Sequence, residues 1–160
     1  MEGQQVTVLG DGEALGTYIV ASGSITLNNT ASTVHVGLPY LSDLETLNIE
    51  VPLPDGTAQG RRIKISQVTF RLLNSRGGYI GPDEDRIYEA FTTQNLSSAI
   101  QIAEPTGPSN ARLFNVDVRR SLGAGYEGGG RVFFRQVDPL PVTIGAIIPE
   151  VTIPNPTVKV

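Results

Sequence analysis

IKISQVTFRLL (residues 63–73) contains the clearest secondary-structure signal in this 160-residue chain. Its apolar residues alternate with polar ones at every second position, which is the period of a β-strand. The alternation changes phase midway, because Ile65 lies on an odd position and Val68 on an even one. Burying both on one side requires an extra residue, so we predict a β-bulge near Ser66 and Gln67.

Strand periodicity continues toward the N-terminus from this stretch. The GDG at residues 10–12 lies between two apolar runs and predicts a hairpin, since Asp-Gly tolerates the positive φ of such a turn. Residues 34–38 alternate so that the valines face the core and His35 lies on the other side, and Pro39 ends the strand. Residues 47–51 alternate as well, which predicts a further strand and a hairpin.

Strands and glycine-rich segments also alternate toward the C-terminus. We interpret residues 75–85 (SRGGYIGPDED) and 121–130 (SLGAGYEGGG) as loops. Residues 94–110 are the only stretch where a short helix is plausible, and residues 114–118 predict a strand. RVFFRQ (residues 131–136) is apolar on both faces at its phenylalanines, so it is either a central strand or meets a partner.

These patterns predict an all-β protein, either an antiparallel β-barrel or a β-sandwich, with long loops and at most one short helix. A chain of this size buries ~68–70% of its unfolded surface around one core. We find no internal repeat and no linker, so we expect a single all-β domain over residues 1–150. The end of the chain (residues 148–160) contains three prolines and no sign of a hairpin return, so we expect it to be extended, either as an edge strand or as an arm. We assign residues 151–160 to an extended C-terminal arm.

Composition excludes several classes of site. The net charge of -4 argues against tight electrostatic binding to nucleic acid. The absence of cysteine excludes disulfides, zinc-thiolate sites and thiol nucleophiles. No apolar run approaches the ~20 residues of a membrane helix, and the first residues lack the basic head and apolar stretch of a secretory signal. We therefore predict no membrane span.

Enzyme chemistry finds little support in the sequence. His35 is the only histidine, and we interpret it as an exposed or interfacial strand residue. No Gly-x-Ser-x-Gly elbow precedes a helix. The glycine-rich loop lacks the Lys-Ser/Thr ending of a phosphate-binding loop. We predict that the chain is not an enzyme, has no catalytic residues and binds no cofactor.

Arginine dominates the basic residues, at ten of twelve. Its planar guanidinium suits interfaces and pairing with carboxylates. We interpret the arginines that occur in pairs or near-pairs first as subunit or cross-strand contacts, and contact with phosphate is the less favoured alternative. These interface candidates are Arg61, Arg62, Arg119, Arg120, Arg131 and Arg135.

An acidic cluster gives the best metal candidates, which are Asp83, Asp85 and Glu89. Closely spaced carboxylates on a loop can supply oxygens to Ca²⁺. The cluster lacks the Asp-x-Asp-x-Asp-Gly pattern with a distal glutamate, so a solvated loop that pairs with Arg86 is the favoured interpretation. We predict no metal site.

Four motifs occur in order over more than a hundred residues. They are GLPY (37–40), DGTAQGRR (55–62), ISQVTFRLLNSRGGYIGPD (65–83) and FRQVDPLPVTIGAIIPEV (134–151). Together they resemble the C-terminal region of tailed-phage nozzle proteins, also called tail tubular protein B. Each motif alone is short, but their common order is a much more specific signal.

The resemblance implies a structural part of a phage tail without an active site. Proteins of that family assemble as a ring, typically a hexamer, below the head-to-tail adaptor, and they enclose the channel through which DNA leaves the virion. The expected partners are copies of the same chain and other tail proteins, with DNA passing non-specifically. The expected location is the virion tail, after synthesis in the host cytoplasm.

A second function from another class stays open. The chain could be a receptor- or glycan-binding β module of a tail or secreted protein. Such modules usually present exposed aromatic platforms, and the chain has no tryptophan and five tyrosines. A shallow aromatic groove with convergent polar groups would favour this function, whereas apolar and arginine-rich patches on two sides would favour ring assembly.

Overall fold

The computed structural model describes residues 1–54, 56–90, 113–123, 125, 126 and 129–153. The regular secondary structure of these residues consists of β-strands, which form four antiparallel sheets. The predicted all-β class is therefore confirmed. Residues 94–110, where the sequence allows one short helix, lie outside the described part of the chain.

The long strand β7 (Lys64–Ser75) is the centre of a three-stranded sheet, between β10 (Phe114–Ser121) and β12 (Ile144–Thr152). Buried and exposed residues alternate along most of β7, as expected for a strand with one face in a core. Both neighbours pair with it in antiparallel fashion. The strand predicted over residues 114–118 is confirmed as part of β10.

The predicted bulge in β7 is confirmed. On β12, Glu150 pairs with Gln67 whereas Val151 pairs with Ile65, so the pairing skips Ser66. The extra residue reverses the phase of the strand, and the isoleucine before it and the valine after it are both buried. The carbonyl of Ser66 accepts a hydrogen bond from the backbone N–H of Leu122 instead, at 3.1 Å.

A second sheet of four strands contains β11 (Phe133–Gln136) as an inner strand. It pairs with β4 (Ser42–Glu45) on one side and with β8 (Tyr79–Gly81) on the other, and β9 (Tyr88–Glu89) follows β8. Both phenylalanines of β11 are buried although they point to opposite faces. The central position predicted for this strand is confirmed.

β8 lies within residues 75–85, so our interpretation of that whole stretch as a loop is wrong for Tyr79–Gly81. Ile80 pairs with Phe134 and is fully buried. Gly78, at a φ of 93°, lets the backbone approach the Phe134 ring closely. Three residues are too few for alternation to be recognised in the sequence. The glycines that indicate a loop in the sequence instead allow the backbone next to β8 to pack closely against the opposite side chain.

The three-stranded sheet of β7 and the four-stranded sheet of β11 share one core, which gives a sandwich-like fold. The rings of Phe70 and Phe134 lie 5.6 Å apart between their centroids. Within the described residues the sheets close no barrel. The buried core residues are Ile65, Val68, Phe70, Leu72, Ile80, Ala90, Val118, Leu122, Val132 and Phe134.

The N-terminal residues form a separate sheet in which β1 (Gln5–Gly10) lies between β2 (Glu13–Ile19) and β3 (Val34–Gly37). The predicted hairpin between β1 and β2 is confirmed. Asp11 and Gly12 form its turn with φ values of 49° and 84°, which is why the Asp-Gly pair stands there.

The side chains of β3 are exposed, so our prediction that its valines face the core is wrong. Val34 and Val36 are 38% and 48% exposed, and His35 is exposed as well. β3 borders the sheet, and the valines buried there belong to the central strand β1. Alternation alone does not tell an edge strand from a central one.

The strand predicted over residues 47–51 is not formed. The backbone N–H of Ile49 donates to the carbonyl of Gly129 at 3.0 Å, and Leu47 is 88% exposed. The backbone N–H of Ile49 thus donates to the glycine-rich loop and not to a neighbouring strand. The hairpin predicted after this segment exists only as the two-residue strands β5 (Pro52–Leu53) and β6 (Gly56–Thr57).

β12 is an edge strand of its sheet, and it contains the first two residues of the expected C-terminal arm. Val151 and Thr152 pair with Ile65 and Lys64 of β7. An edge position also accommodates Pro149, which lacks a backbone donor. Residues 154–160 lie outside the described part of the chain, so the extended arm stays a prediction.

Candidate functional site

Arg135 is the centre of an ionic network on the outer face of the four-stranded sheet. Its Nε and Nη2 donate to the two carboxylate oxygens of Asp43 at 2.7 and 2.8 Å, and Nη2 lies 3.6 Å from Glu84. The guanidinium carbon lies 5.1 Å from the ring centroid of Phe133. The fork to Asp43 uses the planar geometry that lysine lacks. The network also shields Phe133 from water on the face away from the core.

Arg131 forms a second ion pair with β4, toward the other end of the strand. Its Nη1 lies 3.1 Å from Glu45 and its Nε donates to Asn48 at 2.7 Å. The register of β4 against β11 explains the order of pairs, because Asp43 lies opposite Arg135 and Glu45 opposite Phe133. We call Asp43, Glu45, Arg131 and Arg135 the arginine network.

The arginine network lowers the pKa of the Asp43 carboxyl, mainly through the hydrogen bonds from Arg135. A lowered pKa in the folded state means that the pair stabilises the fold above the carboxyl's ordinary pKa. That contribution is lost as the pH falls through the lowered value. Because the pair is near the surface, solvent keeps the contribution small.

We therefore expect Asp43→Asn to make the melting temperature depend less on pH in the acid range. The melting temperature of the native chain should fall as the pH drops below the ordinary aspartate pKa of about 3.9, and that of the variant should fall less over the same range. Asp85→Asn, at an exposed carboxyl of the β8–β9 loop, is the matched control and should follow the native curve. Parallel curves for native chain and Asp43→Asn would contradict the prediction.

The other arginine candidates lie elsewhere. Arg119 on β10 pairs with Glu150 on β12 at 3.1 Å, across the outer face of the three-stranded sheet. Arg71 and Asp117 form a second, two-pronged pair on that face, with both bonds at 2.9 Å. This face therefore bears its own cross-strand ion pairs.

Arg120 points inward, on the same side of β10 as Val118. It donates to the carbonyl of Glu89, its Nε is buried without a hydrogen-bond partner, and burial lowers its pKa. Arg61 is half-buried beside the β5–β6 hairpin and Arg62 is exposed there. The six predicted interface arginines thus occupy at least four places, and of these six Arg131 and Arg135 pair with carboxylates of the same strand, β4.

The acidic loop is organised around Asp83. One carboxylate oxygen accepts the backbone N–H groups of Asp85 and Arg86 at 3.2 and 2.9 Å, and the other accepts Nε of Arg86 at 2.8 Å. These bonds lower the pKa of Asp83, with the side chain of Arg86 as the largest cause. Asp85 and Glu89 are exposed. The described residues contain no group of three metal-ligating side chains.

Exposed apolar residues cluster beside the arginine network, at the segment that leads into β4. Tyr40 is 70% exposed and Leu41 57%, and Leu38, Leu44 and Val137 are also exposed. We call these five residues the apolar edge. The sequence pattern predicted that Leu38 faces the core, so it did not predict this exposed surface. A possible signal was the non-alternating run LPYL after a predicted strand end.

Two grooves open near β4. The first, of about 540 Å³, separates β4 from the start of β12 and is lined mainly by apolar side chains, including Leu44, Phe134, Val142 and Ile144. The second, of about 700 Å³, lies at the other end of β4 and has a mixed polar and apolar lining. Its lining includes Glu45, Asn48, Glu50, Gln59 and Arg131.

No protein-family model matches the chain, and no curated protein matches it. None of the described segments forms a helix long and apolar enough to cross a membrane.

Proposed function

We propose that the chain is a structural module of a phage tail, related to the nozzle and forming part of an oligomeric ring around the DNA ejection channel. The observation that carries this proposal is the set of four motifs in the order typical of tailed-phage nozzle proteins. In this proposal the chain has no active site, and it is made in the host cytoplasm and resides in the virion tail.

The positions of the motifs support a common architecture. The two longest motifs, residues 65–83 and 134–151, supply β8 and most of β7, β11 and β12. These strands belong to the two sheets that share the core. The GLPY motif (residues 37–40) leads into β4 and supplies Leu38 and Tyr40 of the apolar edge. The residues of the four motifs therefore contribute both to the interior of the sandwich and to one of its exposed apolar surfaces.

The apolar edge supports assembly. Contiguous exposed apolar residues bordered by charged pairs are typical of protein contacts, since their exposure to water costs free energy that docking recovers. A closed ring requires a heterologous interface, in which one patch meets a different patch on the next copy. The outer face of the three-stranded sheet, with Leu73 and Ile148 exposed among its ion pairs, offers a second patch.

The charge distribution supports passage of DNA without tight binding. The chain carries a net charge of -4, and Arg71, Arg119, Arg131 and Arg135 each pair with a carboxylate. A paired guanidinium must give up its partner before it can bind phosphate strongly, and a negative channel wall repels the duplex mildly. DNA could then slide through a ring of such subunits.

The glycan-binding alternative has weaker support. The larger groove, at about 700 Å³, has several polar side chains in its lining, but none of its lining residues among those described is aromatic. Sugar-binding sites usually stack a ring on an aromatic face. Ring assembly is therefore the function that these surfaces support better.

The test is the mass of the purified chain in solution across a concentration series, by light scattering coupled to size exclusion. We expect a closed oligomer with a mass that is an integral multiple of 17.1 kDa and stays constant over the series. A monomer of 17.1 kDa at every concentration would contradict assembly by this chain. Screening against a glycan panel would then test the alternative.

A further inference from the structure

The outer side of β3, at the border of the N-terminal sheet, has no partner strand in the described part of the chain. On its inner side β3 pairs with β1 in one regular register, from Thr7 opposite Gly37 to Gly10 opposite Val34. An edge strand of this kind presents its remaining backbone N–H and C=O groups to a further strand. An extended segment that approaches β3 can therefore add to the sheet.

β3 also lacks the features with which proteins protect a sheet edge. Charged side chains and β-bulges usually keep a second strand away. Among the described edge strands of more than two residues, which are β2, β3, β4, β10 and β12, β3 alone has no aspartate, glutamate, lysine or arginine. β2, the opposite edge of the same sheet, contains Glu13 and pairs with a shift of register at Val8 and Leu9, whereas β3 pairs without one. The edge of β3 is therefore open to strand pairing.

One face of β3 is apolar and continues a buried face of β1. Val36 lies opposite Val8, and residues directly opposite each other on antiparallel strands point to the same face. Val8 is fully buried, whereas Val34 and Val36 are exposed. The cover that buries β1 thus ends before it reaches β3. A further strand with apolar residues on this face would bury both valines and extend the core sideways.

β3 of a second copy has the chemistry that this edge requires. The partner must offer a free edge, apolar side chains at every second position and no like charge. In an antiparallel pair centred on His35, Val34 of each copy lies opposite Val36 of the other, and all four valines share one face. The two His35 side chains then lie opposite each other on the other face. β3 has no carboxylate, lysine or arginine, so none of these groups opposes its like.

We propose that β3 pairs with β3 of a second copy about a two-fold axis, in antiparallel fashion and with His35 opposite His35. The two three-stranded N-terminal sheets then form one sheet of six strands. The contact is isologous, since the same residues serve both copies. It goes beyond the proposed ring, which closes through head-to-tail contacts, so either contact can exist without the other.

A single cysteine at the two-fold axis tests this contact in the full chain, which has no cysteine of its own. Two short strands make a small contact, so a covalent link detects it better than mass alone. Directly opposite residues of an antiparallel pair have Cα atoms about 4.5–5.5 Å apart, within the roughly 4.4–6.8 Å that a disulfide bridges. His35→Cys is oxidised, and the disulfide-linked dimer is quantified on a non-reducing gel. Thr17→Cys is the matched control, because Thr17 is exposed on β2, the other edge of the same sheet.

We expect on the order of tenfold more dimer from His35→Cys than from Thr17→Cys, because pairing raises the effective concentration of the two thiols. Adding Val36→Lys to His35→Cys should return the yield to that of the control. The lysine would bring a charge into the shared apolar face, whereas the exposed position tolerates it in a single copy. Equal yields from the two single-cysteine variants, or a yield that Val36→Lys leaves unchanged, would overturn the contact.

The register has a test of its own. Position 34 faces position 36 of the second copy, so Val34→Cys and Val36→Cys should each link poorly alone and well when mixed. As much dimer from Val34→Cys alone as from the mixture would overturn this register.

Light scattering separates this contact from the proposed ring. An oligomeric chain in which His35→Cys links no better than the control would overturn the β3 contact and leave the ring standing. A chain whose largest assembly is a dimer linked through position 35 would support the β3 contact and contradict the ring.

Discussion

Phe70→Ala should lower the free energy of unfolding by about 3–5 kcal/mol. Phe70 is fully buried at the centre of β7, and its ring packs against Phe134 of the opposite sheet. Truncation removes the apolar contact that joins the two sheets and leaves a cavity that the surrounding strands can fill only in part. The measurement is urea unfolding, in which the midpoint should fall while the slope stays unchanged.

Leu73→Ala is the matched control for this prediction. It truncates a large apolar side chain on the same strand, but Leu73 is 41% exposed on the outer face. We expect a loss of less than about 1 kcal/mol, as is usual for surface positions. Similar losses for the two variants would mean that Phe70 does not occupy the shared core.

Gly78→Ala should be nearly as destabilising, for two separate reasons. Gly78 has a φ of 93°, and an L-residue there costs about 1–2 kcal/mol. The added methyl group would also overlap the ring of Phe134, with Cε2 only 2.9 Å away, and overpacking of this kind costs about 1–3 kcal/mol. The same unfolding experiment measures the sum.

Gly16→Ala separates the two contributions. Gly16 on β2 has a similar φ of 97°, but no atom lies within 4 Å of the position that its methyl group would occupy. This variant should lose only the backbone contribution of about 1–2 kcal/mol. If Gly78→Ala lost no more than Gly16→Ala, the close approach of the Gly78 backbone to Phe134 would be refuted.

Local signals predicted those elements whose pattern is long or chemically specific. The phase change near Ser66 required a bulge whatever β7 paired with, and the bulge is there. The Asp-Gly turn at residues 11 and 12 is equally local, because positive φ at both positions depends on those two residues. Apolar residues on both faces of RVFFRQ need cover on both, so the sequence predicted a central strand or contact with a partner, and β11 is an inner strand.

The predictions that failed concern burial and pairing partners. Val34 and Val36 alternate like core residues but lie on the edge strand β3. Residues 79–81 form a strand because β11, some fifty residues later, supplies the pairing. The sequence also left open whether Arg131 and Arg135 make subunit or cross-strand contacts, and it named no partner for either. Their partners Glu45 and Asp43 follow from the register between β4 and β11.

The sequence by itself determined the all-β class, the bulge in β7, the β1–β2 turn and the residues able to form ion pairs. Each of these depends on backbone sterics and on side-chain alternation within a few residues. Only the tertiary structure decided which strands are edges, which arginines meet which carboxylates, and that the segment after Pro39 exposes its apolar side chains. Those features depend on contacts between distant segments, such as the ion pairs of Arg131 and Arg135 with residues 86 and 92 positions away, and local alternation carries no information about them.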